Sequence, residues 1–134
     1  MPVRRYVRDS VRSTLAEVAP LATFARNETD SQAQHCWRIA LKKLRYRLEI
    51  VTPVIMSSPD PLLVILKRYQ ELLGDRHDLD GYRELVQSLA PDGETASELI
   101  RIISRRRSKV WADLLLLEAE QPWGQLAARI EDIL

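Results

Sequence analysis

Apolar residues recur at spacings of three and four in almost every segment of this 134-residue chain, and strict alternation of apolar and polar residues is nowhere sustained. Spacings of three and four place side chains on one face of an α-helix, whereas alternation is typical of a half-buried strand. Glycine is rare, with 4 residues, and 7 prolines interrupt the pattern. The sequence therefore predicts an all-α fold.

Turn-forming residues divide the chain into predicted helices at about 4–26, 31–52, 61–73, 75–89, 94–120 and 123–134. Pro20 is expected to kink or split the first helix. Gly74 can adopt the left-handed turn that ends the third helix, and Asp75 can cap the fourth. Because every loop is short, we expect an antiparallel bundle of four main helices plus short helices, with residues 1–134 forming one domain.

The composition, with 46% hydrophobic and 29% charged residues, is that of a folded globular chain rather than a disordered one. The single cysteine, Cys36, leaves no internal disulfide to form, which favours a cytoplasmic location. The longest aliphatic run is Leu114–Leu117, so no membrane span or signal peptide is expected.

The net charge of +1 conceals a marked asymmetry between the two halves of the chain. Residues 1–67 hold 11 Lys and Arg against 6 Asp and Glu, a net of +5, whereas residues 68–134 hold 9 against 13, a net of −4. Two segments, 38–47 and 101–109, each carry five basic residues and no acidic residue. An anionic partner is therefore expected at one of these two segments.

The second predicted helix places a polar stripe beside its apolar seam of Trp37, Leu41, Leu44, Leu48 and Val51. We call this stripe the basic strip; it comprises His35, Arg38, Lys42 and Arg45. Neighbouring like charges on a helix repel one another, so we expect something to compensate them. Beyond the strip the helix is apolar again, at Ile39, Tyr46 and Ile50.

A strip that holds both arginine and lysine suits a repeating polyanion, because arginine can bind phosphate oxygens with two N–H groups and lysine adds a mobile charge. His35 would be a further donor, and a nearby phosphate would raise its pKa. The alternative interpretation is that these long side chains simply reach water at the edge of the core.

Two further segments could bind an anion. The amides after Gly74, with Arg76 and His77, would form an anion-binding helix start, although Asp78 and Asp80 in the same turn are expected to be structural. On the fifth helix, Arg106 falls within the buried stripe and would need a partner, either an acidic side chain or a ligand phosphate.

Catalytic and metal-binding signatures are not found. His35 and Cys36 are adjacent and so diverge by about 100° on a helix, which makes them a poor catalytic or metal-ligating pair. The chain has only 2 histidines, and it contains no P-loop, dinucleotide-binding turn or G-x-S-x-G motif. We therefore predict a chain that is not an enzyme and that has no metal or cofactor.

The segment from His35 to Glu49, with basic residues 3, 7, 8 and 10 positions after the histidine, resembles the signature helix of the conserved-histidine α-helical domain (CHAD) family. The segment Leu73–Asp80 is similar to the leucine-glycine turn and Asp-Leu-Asp motif of the same family. The arginine-rich helix and the segment Gln121–Leu126 are similar to the family's C-terminal parts.

The resemblance implies a helical domain that binds inorganic polyphosphate, associates with polyphosphate granules and often accompanies a triphosphate-processing domain. Its main phosphate contacts here would be His35, Arg38, Lys42, Lys43 and Arg45. The family domain usually has two helical repeats around a basic pore, and 134 residues hold one, which is most similar to the second. We therefore expect a homodimer, with Ile39, Tyr46 and Ile50 in its contact.

Three other functions stay open at this point. A nucleic-acid-binding helical domain ranks second, because the same strip would attract a phosphodiester backbone but has only Tyr46 as an aromatic platform. An accessory subunit of a triphosphate- or polyphosphate-processing enzyme, or the enzyme itself, would need metal-binding carboxylates that face the strip. The last of the three alternatives is a structural protein, a helical bundle whose basic edge binds no anion.

Overall fold

The computed structural model describes residues 2–54, 60–89 and 92–134 and confirms the all-α prediction. Its helices are α1 (Pro2–Ala25), α2 (Ser31–Val51), α3 (Asp60–Leu89), α4 (Glu94–Glu120) and α5 (Trp123–Ile133), with one 3₁₀ turn at Thr52–Val54. Four long helices and one short helix form the bundle. Within the described residues no helix is long and apolar enough to span a membrane.

The start of α2 follows the sequence prediction closely. The Asp30 side chain accepts a hydrogen bond from the Ala33 N–H at 3.0 Å, and the Thr52 N–H donates to the Glu49 carbonyl at the other end. An N-cap carboxylate satisfies one of the free amides of the first turn, which fixes the helix start. In α1, Pro20 lies inside an uninterrupted helix, so the predicted split does not occur.

Helix α3 corrects the prediction that Gly74 ends one helix and Asp75 starts another. The helix passes through Gly74 without a break, and its full length is 30 residues, or about 45 Å at 1.5 Å per residue. Among the described residues only Gly93 has a positive φ, at 120°. Leu72, Leu73 and Arg76 are buried on both sides of Gly74, and their packing outweighs the roughly 1 kcal/mol that glycine costs in a helix.

The core takes side chains from all five helices. Trp37 of α2 forms its centre and meets Tyr69 and Trp123 edge-on, with ring centroids 5.5 Å and 6.3 Å away. The Tyr69 hydroxyl lies 2.7 Å from both the Glu118 carboxylate and the Gln121 carbonyl, where α4 gives way to α5. The apolar seam predicted for α2 is thus buried as expected.

The far end of the hairpin formed by α3 and α4 lies beyond this core. From α4 the core cluster takes only residues from Val110 to Leu117, and the buried side chains Ala96 and Ile103 are not part of it. Helix α3 has 30 residues and α2 has 21, so α3 is longer by about 14 Å at 1.5 Å per residue. The end of the hairpin is therefore stabilised mainly by contacts between α3 and α4.

Candidate functional site

A groove between α2 and α3, with a volume of about 290 Å³, runs beside the basic strip. We call it the α2–α3 groove; it is lined by Arg38, Arg45, Lys67, Gln70, Glu71, Gly74, Asp75 and Asp78. Arg38 and Arg45 thus lie together on this side of α2. Lys67 of α3 joins them from the opposite wall, and no motif or charge cluster in the sequence indicated this residue.

The two strip arginines each have a buried N–H group without a partner. Within the part of the chain that the structure describes, neither Arg38 Nε nor Arg45 Nε has a hydrogen-bond acceptor, although both atoms are buried. Buried polar atoms are nearly always hydrogen-bonded in folded proteins. Both arginines line the groove, and the described residues leave one N–H group of each without an acceptor.

Three carboxylates of α3, those of Glu71, Asp75 and Asp78, line the same groove. Among the described residues, none of them forms an ion pair with Arg38 or Arg45 within 4.0 Å. Carboxylates on the opposite wall of the groove reduce the positive potential there, and the effect falls off with distance. The sequence pattern did not indicate these carboxylates, because Gly74 predicted the end of a helix at this point.

His35 and His77 come together although they lie on different helices. Their rings stack with centroids 4.4 Å apart and planes inclined by 19°. Burial lowers the pKa of His35 from its ordinary value, and the neighbouring His77 and Arg38 lower it further. His35 Nδ1 is buried and has no hydrogen-bond partner among the described residues. Protonation of His35 would add a charge at this end of the basic strip.

Lys42 and Tyr46 form the outer edge of the strip. The Lys42 Nζ lies 5.7 Å from the centre of the Tyr46 ring, and the Arg45 guanidinium lies 4.9 Å from it. Both distances are within the range of a cation–π contact. The ring therefore packs against the strip's own cations, which leaves it poorly placed to stack on a nucleic-acid base.

Lys43 points away from the groove. Its Nζ lies 3.3 Å from a carboxylate oxygen of Glu17 on α1, and both side chains are about half exposed. The one-residue step from Lys42 turns the side chain by about 100° toward the neighbouring helix. Lys43 is therefore not brought together with the strip.

Arg76 is the buried arginine of this structure, with 2% of its surface exposed. Its Nε donates to Gln34 Oε1 at 2.9 Å, Nη1 to the Arg107 carbonyl at 3.1 Å, and Nη2 to the Glu28 carbonyl at 2.8 Å. The guanidinium also stacks on Trp111, 4.8 Å from the ring centre. Burial and then Arg107 lower its pKa from the ordinary value. These donors serve the protein itself, and the expected helix start around Arg76 does not exist because α3 is continuous.

Arg106 is exposed, so the prediction that it falls within the buried stripe of α4 is wrong. The buried residues Ala96, Ile103 and Trp111 turn position 107 inward instead. There Arg107 Nε lies 2.7 Å from Asp80 Oδ1, in the acidic partnership that the sequence offered for Arg106. Arg106 lines a second groove, between α3 and α4, with Asp75, Asp78, Tyr82 and Lys109.

Within the described residues no three His, Cys, Asp or Glu side chains form a group that could hold a metal ion. Cys36 is half-buried, and Gln32 Nε2 lies 3.7 Å from its sulfur. This contact is along the helix surface and does not involve His35. Cys36 and His35 thus remain separate, as their adjacency in the sequence indicated.

A sequence model of the CHAD domain matches residues 1–87 of the chain, which span α1, α2 and nearly all of α3. The match confirms the family resemblance and includes the whole basic strip, Arg76 and His77. Arg106, the rest of the arginine-rich helix and the segment 121–126 lie beyond the matched residues. No curated protein and no solved structure matches the chain.

Proposed function

Since this chain belongs to the CHAD domain family, whose domains bind polyphosphate-related substrates in general, we propose that it is a non-catalytic module that binds inorganic polyphosphate. Its contacts are His35, Arg38, Lys42 and Arg45 of the basic strip, with Lys67 on the opposite wall. The observation that carries the proposal is that Arg38 and Arg45 both line the α2–α3 groove while the described residues leave one N–H group of each without an acceptor.

The spacing of the strip suits a linear ligand. From His35 to Arg45 the helix rises by about 15 Å, at 1.5 Å per residue, and a cation or histidine recurs every three or four residues. A chain of linked phosphates can thus meet one donor after another along the helix. Neutral His35 donates one hydrogen bond at most, and once protonated it adds a charge to the strip.

The groove carboxylates limit the strength of this binding. Glu71, Asp75 and Asp78 face the ligand side together with the three cations of the groove. The repulsion of a polyanion by these groups falls off with distance and with added salt.

The proposal is tested by titration with long-chain polyphosphate, comparing the wild-type protein with Arg38→Ala/Arg45→Ala. We expect the double variant to lose affinity at least tenfold, since charge-assisted hydrogen bonds contribute about 1.5–3 kcal/mol each. Arg5→Ala/Arg68→Ala is the matched control, because it removes the same charge from exposed positions outside the groove. Equal losses in the two double variants would contradict a specific site.

Two further measurements separate the remaining functions. Titration with single-stranded and duplex nucleic acid of the same phosphate number should give weaker binding than polyphosphate, and tighter binding would favour the nucleic-acid function. Incubation with polyphosphate and Mg²⁺, followed by chain-length analysis, should leave the polymer intact. In cells that store polyphosphate, the same contacts would hold the protein on the granules, and Arg38→Ala/Arg45→Ala should release it.

A further inference from the structure

The far end of the α3–α4 hairpin carries large apolar side chains that no other helix covers. We call these side chains the hairpin face: Tyr82, Leu85 and Leu89 on α3, and Leu99 and Ile102 on α4. Their exposed fractions are 58%, 52%, 76%, 43% and 43%. Contiguous exposed apolar surface of this kind is uncommon on a monomer and is typical of a contact with another molecule.

The two helices present these residues on the same side of the hairpin. Tyr82 of α3 and Arg106 of α4 line the same groove. The face of α3 that carries Tyr82 and the face of α4 that carries Arg106 therefore lie on the same side of the hairpin. Leu85 and Leu89 continue the Tyr82 stripe at helical spacing, and Ile102 precedes Arg106 by one turn. The hairpin face is thus one surface rather than five separate side chains.

The charged residues along α4 change sign between residues 100 and 101, within the stretch that carries Leu99 and Ile102. Residues 92–100 contain Asp92, Glu94 and Glu98 and no basic residue, whereas residues 101–109 contain five basic residues and no acid. Glu98, Ile102 and Arg105 are all exposed and follow one another at spacings of four and three. One exposed stripe therefore runs from acidic through apolar to basic.

We propose that the hairpin face binds a second copy of this chain, with the two α4 helices antiparallel about a twofold axis. We consider the antiparallel register that sets Leu99 of one copy opposite Ile102 of the other. Glu98 then lies level with position 103 of the second copy, and Arg105 of that copy is two residues away, or about 3 Å along the helix axis. The acidic half of each helix then faces the basic half of the other. A parallel pairing would set like charges against each other, so the pattern selects a self-complementary contact.

This contact differs from the dimer that the sequence led us to expect, which would use Ile39, Tyr46 and Ile50 on α2. Those side chains are also exposed, but the α2 surface around them is basic and would repel a second copy of itself. The hairpin contact leaves the basic strip open to solvent in both copies. It is also independent of polyphosphate binding.

The experiment is sedimentation equilibrium of the whole chain without polyphosphate, at about 0.1 mM, where a contact with a Kd near 10 µM is mostly dimeric. We expect a dimer for the wild type and at least a tenfold weaker dimer for Ile102→Lys. Ile50→Lys is the matched control, since Ile50 is an exposed isoleucine of α2, and it should remain dimeric. A wild-type monomer, or a dimer lost only in Ile50→Lys, would overturn the proposal.

A charge exchange tests the antiparallel register directly. Glu98→Arg and Arg105→Glu should each weaken the dimer, because each sets like charges together. The double variant carries both exchanges in each chain and should recover most of the affinity. Failure of the double variant to recover, with helicity unchanged by circular dichroism, would also overturn the proposal.

Discussion

Arg76 and the strip arginines lie only a few turns apart on packed helices, but their surroundings differ completely. All three nitrogen atoms of the Arg76 guanidinium donate to protein acceptors, and its plane is covered by Trp111. Arg38 and Arg45 each keep a buried N–H group without an acceptor among the described residues. Burial alone thus does not mark a binding residue; what separates the two kinds of arginine is whether the fold itself supplies the acceptors.

The largest expected effect is on stability, at Arg76. Arg76→Ala would remove three hydrogen bonds, to Gln34 Oε1 and to the carbonyls of Glu28 and Arg107, and would leave a cavity beside Trp111, so we expect a loss of about 3 kcal/mol or more in the free energy of unfolding. Urea unfolding followed by circular dichroism measures it. Arg38→Ala is the control and should change stability by about 0.5 kcal/mol at most. Similar losses in both variants would remove the distinction between the two regions.

The next effect concerns the salt dependence of polyphosphate binding. If about five phosphates are engaged, as on a single strand, the plot of log affinity against log salt should have a slope of roughly −3.5. Removal of two contacts in Arg38→Ala/Arg45→Ala should reduce the slope to about −2.1. Titrations at several salt concentrations measure both slopes. An unchanged slope in the double variant would show that these arginines do not meet phosphate.

A smaller effect is expected from pH. Because the pKa of His35 is lowered on folding, the unfolded chain takes up its proton first as pH falls. The free protein should therefore lose stability from about pH 7 downward, through the ordinary histidine pKa of about 6.5. Polyphosphate should bind more tightly over the same range, because protonated His35 attracts it.

Thermal unfolding at about pH 7.5 and 5.5, with and without polyphosphate, tests the pH effect. The ligand should raise the unfolding temperature more at the lower pH. His35→Gln should lose most of this pH dependence while it remains folded. A stabilisation by polyphosphate that is equal at both pH values would contradict a role for the histidine pair in binding.

The smallest effect is expected at Gly74, which lines the α2–α3 groove two residues before Arg76 and so joins the two regions. A Cβ atom at this position would meet no atom within 4 Å beyond its chain neighbours and the backbone of its own helix, and the residue is helical. Gly74→Ala should therefore stabilise the protein by about 0.5–1 kcal/mol. The outcome is checked by urea unfolding. A loss of stability would indicate the left-handed turn that the sequence first suggested.

Helical periodicity and caps were sufficient to predict α1, α2, α4 and α5 within a few residues. They failed at Gly74, because a local stop signal says nothing about the buried residues that pack on both sides of it. The same failure hid the carboxylates of α3 and led to an anion-binding helix start that does not exist. Long-range packing, which local patterns do not encode, decided each of these points.

The basic strip itself followed from spacing, and Arg38 and Arg45 lie together as predicted. What the sequence did not reveal was how neighbouring helices divide the cations among themselves. Lys43 turns to Glu17 of α1, and Lys67 enters the groove from α3. The buried stripe predicted for α4 included Arg106, which is one residue away from the position that the structure turns inward. The buried side chains of Ala96 and Trp111 place position 107 on the inward side of α4 instead.

The three hydrogen bonds of Arg76 also determine how much of the chain must fold together. They join α3 to residues 42, 48 and 31 positions away in the sequence, in α2, in the turn before it and in α4. The acceptor in α4 lies outside residues 1–87, which the family model matches. A fragment that ended there would leave Arg76 without the Arg107 carbonyl and without Trp111. The cooperative folding unit consequently includes residues of α4 beyond position 87. Its assembly depends on contacts between residues distant in sequence, and such contacts slow folding.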